Sequence, residues 1–72
     1  MDSDTKKKKE IGEIIQNRRK SREIVQIDLA EIAGISPRTL RGIENGTANP
    51  ELETLLRICK VLGMELHLEV IR

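Results

Sequence analysis

Apolar residues recur at three- and four-residue steps along most of the chain, which is the spacing of amphipathic helices. In the first such segment Ile11, Ile14 and Ile15 share one face, and we predict a helix over about residues 8–22. Residues 1–7 ahead of it are polar and basic and lack this periodicity, so we expect a disordered tail there.

Two shorter helices follow, separated by a tight turn. The first is predicted at Gln26–Ala33 and ends at Gly34, because glycine tolerates the left-handed backbone that closes a helix. Ser36 then offers a hydroxyl to the free amides of a new helix, and the fixed φ of Pro37 suits its first position. This third helix is predicted to end at Gly46. The two helices are therefore joined by a turn of about three residues.

The fourth helical segment has the strongest amphipathic pattern. Asn49-Pro50 repeats the cap-then-proline signal and predicts its start, and Gly63 predicts its end. The apolar positions between them are Leu52, Leu55, Leu56, Ile58, Cys59 and Leu62. We expect this helix to be the best formed of the chain.

The pattern changes period after Gly63. From residue 64 to residue 72 apolar residues alternate with polar ones, which is typical of a half-buried strand. The apolar positions are Met64, Leu66, Leu68 and Val70. No other segment has this pattern, and a lone strand leaves its amides and carbonyls unpaired. We therefore predict that the strand pairs antiparallel with its own copy, across a homodimer.

Length and composition add a reason for self-association. A chain of 72 residues forms one domain, and a domain of this size buries only about 60% of the surface that its unfolded form exposes. The single cysteine, Cys59, excludes an intrachain disulfide, and the single histidine, His67, provides no ligand cluster for a metal. We expect no metal and no cofactor, so a second subunit is the remaining source of stability.

Charge and hydropathy narrow the choice of partner. The formal net charge is +1, but basic residues are concentrated in the first third of the chain. No apolar run approaches the roughly 18 residues of a membrane span, and none follows the N-terminal lysines as in a signal peptide. We predict a cytoplasmic protein with no membrane partner. The chain also lacks aromatic residues, and therefore the stacking platforms that bind single-stranded nucleic acid.

The second and third predicted helices have the arrangement of a helix-turn-helix. Short helices joined by a glycine-containing turn cross steeply, so the second one presents its outer face away from the core. Such a helix fits the major groove of B-DNA, where arginine pairs with guanine edges and threonine bonds bases or phosphates. Arg38, Thr39 and Arg41 lie on the outer face, opposite Leu40 and Ile43. The pattern thus favours double-stranded DNA as the partner.

Several of these residues together resemble the signature of Xre/Cro-type phage-repressor helix-turn-helix domains. The matching positions are Gln26, Leu29-Ala30, Ala33-Gly34-Ile35-Ser36, Thr39-Leu40 and Ile43-Glu44-Asn45-Gly46. The resemblance covers about residues 11–62 and implies a compact, mainly all-α domain of four to five helices. We therefore divide the chain into a basic tail at 1–7, a helix-turn-helix DNA-binding domain at 8–63 and a dimerisation strand at 64–72.

The resemblance also implies roles for individual residues. It implies that Gln26 and Asn45 bind the DNA backbone on either side of the groove. It implies that Arg19 and Glu44 form an ion pair beneath the recognition helix, which orients helices without contacting bases. The residues that it places against the groove are Ser36, Arg38, Thr39 and Arg41. Two such helices in a homodimer would lie roughly 34 Å apart and match an inverted-repeat operator.

Three features depart from the family pattern. Val25 stands where a threonine commonly caps the second helix, and a valine side chain cannot accept the free amides. Pro37 and Gly42 occupy outward positions that often carry long polar side chains, so base contacts would depend on the arginines. Ile27 is apolar where a polar residue is common, and it either lies against a DNA sugar or is partly exposed.

Ordinary structural roles compete with functional ones at several positions. Cys59 lies among aliphatic residues, which favours a small buried residue over a reactive thiol. His67 is expected on the exposed face of the strand rather than as a ligand. Ser36 acts as a helix cap, a DNA contact or both. The lysines at residues 6–9 form either a solvated tail or a supplementary DNA-binding arm.

The combined pattern predicts a dimeric transcriptional repressor. A short C-terminal strand after such a domain is similar to the HipB-like antitoxins, which implies repression of a HipBA-like type II toxin-antitoxin operon and a HipA-like kinase toxin as partner. A stand-alone Xre-type regulator and a dimerisation or protein-interaction module without DNA binding are the alternatives. No enzyme is expected, because the chain has no carboxylate pair, activated nucleophile or glycine-rich phosphate loop.

Overall fold

Helices dominate the structure, a computed structural model that describes residues 3–71. This part of the chain folds into four helices, which are α1 at Ser3–Ser21, α2 at Gln26–Ala33, α3 at Pro37–Asn45 and α4 at Leu52–Leu62. Both α1 and α2 pack against α3 and α4. None of the helices in the described residues is both long enough and apolar enough to cross a membrane. The all-α architecture predicted for the domain is therefore confirmed.

α1 begins earlier than the hydrophobic pattern indicates. The pattern predicts a start near residue 8, but α1 already includes residues 3–7, so the expectation of a disordered tail is wrong for them. Residues 1–2 of that tail lie outside the described residues. Lysine and glutamate are good helix formers, and Lys7 Nζ lies 3.1 Å from Glu10 Oε1 across one turn. Local propensity thus extends the helix where no apolar face requires it.

α2 and α3 have the predicted bounds, and the reasons are local. Gly34 and Gly46 end them with left-handed φ angles of 75° and 78°. The Ser36 hydroxyl accepts the Thr39 N–H at 3.0 Å and caps the start of α3. At the start of α2, Val25 makes no side-chain cap bond. Glycine and serine signals therefore set the turn between the two helices.

α4 begins later than the sequence predicts. Asn49-Pro50 does not form its cap, because the helix starts at Leu52 and Glu51 is the capping residue. Glu51 has an extended backbone (ψ 153°) and makes no side-chain cap bond. The two residues of the false cap instead line a surface groove together with Ile43. The predicted start is therefore wrong, because the extended backbone at Glu51 makes Leu52 the first helical residue.

The core is aliphatic and is built from all four helices. Its buried members are Ile15, Leu29, Ala30, Ala33, Leu40, Ile43, Ile58 and Leu62. Burial of each of the larger side chains contributes about 1.5 to 3 kcal/mol. Ile14 does not join them, because it is 57% exposed, so the buried face of α1 is narrower than predicted. Leu52 and Leu56 of α4 are exposed as well.

α1 crosses the C-terminal end of α3 at very short range. A Cβ atom on Gly12 would collide with the main-chain oxygens of Ile43 and Glu44. A Cβ atom on Gly46 would collide with the backbone of Lys9. Only glycine permits so close an approach, because it has no side chain. α1 therefore fixes the position of α3 by direct backbone contact.

The C-terminal segment forms no strand in the single chain. Residues 64–71 have no regular secondary structure, so the predicted strand is not found there, and residue 72 lies outside the described range. A strand requires main-chain hydrogen bonds to a second strand, and none is assigned anywhere in the described part of the chain. Leu68, Val70 and Ile71 are 94%, 94% and 93% exposed. The single chain thus gives this segment no pairing partner.

Candidate nucleic-acid interface

α3 presents two chemically different faces. Leu40 and Ile43 are buried in the core, whereas Arg38, Thr39 and Arg41 are exposed on the other side. The fold thus brings the residues predicted to contact bases onto one solvent-facing surface of one helix. A helix that presents polar side chains in this way can enter the major groove of DNA.

Ser36 and Thr39 form a small hydrogen-bonded unit at the N-terminal end of α3. Besides accepting the Thr39 N–H, the Ser36 hydroxyl donates to Thr39 Oγ1 at 2.9 Å, so its one proton is used inside the protein. The Thr39 hydroxyl keeps its own proton, which can be donated to a base or a phosphate. Ser36 therefore acts first as a cap, and Thr39 is the better placed donor to DNA.

The arginines of residues 3–71 separate into two groups by what they contact. Those that donate to acceptors within the protein are Arg18, Arg19, Arg22 and Arg57. For example, Arg57 Nε donates to the Ala33 carbonyl at the end of α2 at 2.9 Å, and so satisfies a free helix-end group. The side chains of Arg38 and Arg41 make no hydrogen bond or ion pair within the described residues. Their donors are therefore available to a partner outside the chain.

Arg19, Glu44 and Gln26 form a buried network beneath α3. Arg19 Nε and Nη2 donate to the two carboxylate oxygens of Glu44 at 2.7 and 3.1 Å. Gln26 Nε2 donates to Glu44 Oε1 at 2.9 Å. The side chains of Arg19 and Glu44 are only 9% and 0% exposed, so loss of one partner would leave a buried charge unpaired. The network ties α1, α2 and α3 together.

Gln26 and Asn45, which the resemblance places at the DNA backbone, lie at the same end of α3. Gln26 is the first residue of α2 and is half-buried against Glu44, whose neighbour Asn45 is exposed at the end of α3. The bond to Glu44 orients the Gln26 carboxamide and leaves its second N–H available. α1 reaches the same end, because the backbone of Lys9 lies against Gly46. Contact of Gln26 and Asn45 with phosphate stays a prediction.

The glycine on α3 has a different role from the one that the family pattern indicates. The pattern places Gly42 on the outer face, but it is half-buried beneath the loop that follows the helix. Its carbonyl accepts the N–H groups of Thr47 and Ala48 at 2.9 and 3.2 Å, and a Cβ atom there would lie 3.2 Å from Ala48 Cβ. The predicted outward placement is therefore wrong, because Gly42 packs beneath the loop and accepts hydrogen bonds from it. Pro37 is also half-buried, whereas Ile27 is 64% exposed.

Cys59 and His67 have ordinary surroundings. Cys59 is half-buried, and burial raises the pKa of its thiol above the usual value. A raised pKa lowers the thiolate fraction and therefore the reactivity of the sulfur. His67 is exposed, and its Nε2 lies 3.1 Å from Glu65 Oε1. Neither residue adds a reactive group to the surface formed by α3.

Some contacts that position α3 are not identified by the sequence pattern. A glycine inside a helix costs about 1 kcal/mol relative to alanine, so Gly12 within α1 is itself a signal of close packing that could have been used. Arg57 gives no comparable signal, because its acceptor, the Ala33 carbonyl, is distant in the sequence. Such a contact becomes visible only when the helices are packed.

Comparison with known proteins agrees with this geometry. The model of the family described as helix-turn-helix matches residues 15–68. The ImmF control region 10 kDa protein of Bacillus phage phi105 is 34% identical over 59 residues, which cover 82% of this chain and 66% of that protein. The immunity repressor protein of the same phage is 38% identical over 55 residues, which cover 76% of this chain and 38% of that protein.

A solved structure of a gene regulator has the same fold. The crystal structure of the clp gene regulator ClgR from Corynebacterium glutamicum matches with a TM-score of 0.76 at 26% identity, over 79% of this chain and 61% of that one. The chain thus spans 66% and 38% of the two phage proteins and 61% of the regulator. Because the family model matches most of the chain, including α2 and α3, this protein belongs to the Xre-type helix-turn-helix family.

Proposed function

We propose that this protein represses transcription by placing α3 in the major groove of operator DNA. The observation that carries the proposal is the contrast among the arginines. Arg38 and Arg41 keep their donors free on an exposed helix face, whereas the other arginines of residues 3–71 donate to acceptors in the protein. Free guanidinium groups on such a helix suit the two acceptors of a guanine edge. Relatives named as an immunity repressor and a gene regulator support a role in transcription.

The other polar residues of this surface contribute in different ways. In the proposed complex Thr39 donates its hydroxyl to a base or a phosphate. Gln26 and Asn45 bind the DNA backbone and hold α3 in register, without specifying sequence themselves. Ser36 stabilises the N-terminal end of α3, and any contact that it makes with DNA is secondary to this role.

The proposed repressor is a homodimer joined through residues 64–72. A second copy supplies the hydrogen-bonding partner that this segment lacks in the single chain. The residues that the pairing would cover are Met64, Leu66, Leu68 and Val70, of which the last two are 94% exposed. Two-fold symmetry then sets two copies of α3 about 34 Å apart, one turn of DNA. The matching DNA target is an inverted-repeat operator. The proposed repressor acts in the cytoplasm.

A DNA titration tests this function. The probe is a fluorescent duplex from immediately upstream of the protein's own gene, followed by anisotropy at about 50 and about 200 mM salt, with a scrambled duplex as competitor. We expect affinity for both duplexes to fall with salt, because phosphate contacts release counterions. We also expect the preference for the upstream duplex to persist, because base contacts do not depend on that release.

Two other outcomes would contradict the proposal. Equal and weak binding to both duplexes at both salt concentrations would remove sequence-specific repression. Failure to bind either duplex at the lower salt concentration would favour a dimerisation or protein-interaction module, since a DNA-binding surface retains its electrostatic affinity there.

Two narrower roles fit the repressor. A stand-alone repressor corresponds to the name of the phage immunity repressor protein among the relatives. An antitoxin of a HipBA-like operon rests on the resemblance at residues 64–72, and its partner would be a HipA-like kinase toxin. Co-expression with the product of the neighbouring gene distinguishes them. A kinase-like protein that stays bound through gel filtration indicates the antitoxin, and separate elution indicates the stand-alone repressor.

A further inference from the structure

The C-terminal segment is only partly covered by the domain. Met64 and Leu66 line a groove of about 140 Å³ together with Ile14 and Cys59. Leu66 is still 44% exposed, and the apolar residues beyond it are almost fully exposed. The first two even-numbered residues, Met64 and Leu66, therefore lie beside the helical domain. The next two, Leu68 and Val70, are not covered in the single chain.

We propose that residues 65–71 pair antiparallel with the same segment of a second copy, in the register that places Leu68 on the two-fold axis. The inference rests on the dimeric repressor proposed above and adds to it the register of the interface. In this register Leu66 lies opposite Val70 of the second copy, and His67 lies opposite Glu69 of the second copy. Every pair is then either apolar with apolar or acidic with basic, apart from the outermost pair of Glu65 with Ile71.

The symmetry of an antiparallel pair excludes half of the possible registers. The two-fold axis cannot pass between two residues, because it would then make two neighbouring pairs equivalent, whereas neighbouring pairs alternate between hydrogen-bonded and non-hydrogen-bonded. If the axis passes through a residue, apolar residues lie opposite apolar ones and polar opposite polar. The residues through which a central axis can pass are Leu66, His67, Leu68 and Glu69.

Charge excludes two of these four registers. With the axis through His67, Glu65 would lie opposite Glu69 of the second copy, twice in each dimer. With the axis through Glu69, that residue would lie opposite its own copy. Like charges directly opposite each other destabilise an antiparallel pair. The two registers that remain each place a glutamate opposite His67, which already lies 3.1 Å from Glu65 on the same face.

Length and the groove decide between the two remaining axes. With the axis through Leu66, pairing would end at residue 64, because Gly63 is the left-handed end of α4, with a φ of 68° that no strand uses. Val70 would then stay unpaired. With the axis through Leu68, pairing extends over residues 65–71, and Val70 of the second copy lies beside Leu66 at the edge of the groove. Only this register therefore covers both Leu66 and Val70 with residues of the second copy.

Cysteine cross-linking of the full chain tests the register. In a Cys59→Ala background, single variants Leu66→Cys, His67→Cys, Leu68→Cys and Glu69→Cys are oxidised with copper-phenanthroline, and initial rates of dimer formation are measured on non-reducing gels. Leu68→Cys should form the disulfide fastest, because only a residue on the axis meets its own copy. Glu31→Cys, on the exposed face of α2, measures the rate of random collision.

The expected rate difference is large. Pairing raises the local thiol concentration toward the millimolar range, so at micromolar protein Leu68→Cys should react on the order of 100-fold faster than Glu31→Cys. Leu68 is 94% exposed in the single chain, so its substitution leaves the helical domain intact. A fastest reaction at Leu66, His67 or Glu69 would overturn the proposed register. Rates equal to that of the collision control at all four positions would overturn pairing through this segment.

Two charge variants give an independent measurement by sedimentation equilibrium. In the proposed register His67→Lys sets a lysine opposite Glu69 and should tighten the dimer about threefold to tenfold, whereas Glu69→Lys should weaken it by a similar factor. With the axis through His67 both changes would have the opposite sign. With the axis through Leu66, Glu69→Lys would have no effect, because Glu69 would be unpaired.

Failure of this inference is distinguishable from failure of the proposed function. The DNA titration uses the unmodified chain and does not depend on which residue lies on the axis. Preference for the upstream duplex combined with slow cross-linking at Leu68 would contradict the proposed register and support the proposed repressor. Fast cross-linking at Leu68 without DNA binding would support the proposed dimer and contradict the proposed repressor.

Discussion

The two faces of α3 differ in what holds their side chains. On the inner face Leu40 and Ile43 are packed in the core, and Glu44 is bonded to neighbouring helices. On the outer face Arg38 and Arg41 make no hydrogen bond or ion pair within the described residues. The fold itself accounts for the inner residues, and the DNA contact that we propose would account for the outer ones. Substitutions on the two faces should therefore separate loss of stability from loss of DNA binding.

The largest effect is expected at the inner face, on removal of the Glu44 carboxylate. Glu44→Ala leaves Arg19 buried without its partner and should lower the free energy of unfolding by about 3 to 5 kcal/mol, measured by urea denaturation and circular dichroism. The double variant Arg19→Met with Glu44→Leu is the control, because it removes both charges and should recover most of the loss. A single-variant loss below about 1 kcal/mol would mean that the pair contributes little.

Close packing of α1 on the same face gives the next effect. Gly12→Ala should destabilise the fold by about 1 to 3 kcal/mol, because the added methyl group collides with the main-chain oxygens of Ile43 and Glu44. The sign is diagnostic. At an open helical site the same change would stabilise by about 1 kcal/mol, so a higher melting temperature for Gly12→Ala would show that the helices do not approach so closely.

On the outer face the same size of loss should appear in DNA binding alone. Arg38→Ala and Arg41→Ala should each weaken binding to the preferred duplex by about 1 to 3 kcal/mol and relax one base position. Stability should change by less than about 0.5 kcal/mol, because neither side chain holds the fold. Lys60→Ala, an exposed cation on α4, is the matched control for a lost charge. An equal loss of affinity in that control would assign the effect to charge rather than to position.

The smallest effects should come from the two helix starts that flank the turn. Ser36→Ala removes the cap of α3 and should cost about 1 kcal/mol of stability while leaving base preference unchanged. Val25→Thr adds a cap where α2 has none and should raise stability by about 0.5 to 1 kcal/mol. Thermal unfolding measures the change in stability of each variant. A changed base preference in Ser36→Ala would show that its hydroxyl contacts DNA.

The helix bounds that could be predicted from the sequence are those with a local signal. Gly34, Ser36 and Gly46 each fix a backbone conformation or satisfy an amide within a few residues, so α2 and α3 are found where expected. The start of α1 has no such signal, because a run of lysines is polar and helix-favouring at once. Asn49-Pro50 predicts a start for α4 that is too early, because Glu51 after the proline keeps an extended backbone and the helix begins only at Leu52.

For the candidate site, the types of residue could be predicted from the sequence. Which of these residues are bonded within the protein and which are available to a partner could not. In the sequence Arg38 and Arg57 are equivalent, since each is an arginine on a predicted amphipathic helix. They differ only after packing, which brings the Ala33 carbonyl to Arg57 and no acceptor to Arg38. The same is true of Gly42, whose place beneath the loop depends on Ala48. Partners distant in the chain decide these roles.

The freedom of the outer face has a consequence for how such a protein can diverge. Because Arg38 and Arg41 make no hydrogen bond or ion pair within the described residues, we expect that a lineage can exchange them, and with them the operator that we propose they recognise, at little cost in stability. Gln26 does not have this freedom, because its carboxamide is bonded to buried Glu44. We therefore expect base preference to change faster among descendants than the contact that we propose between Gln26 and the DNA backbone.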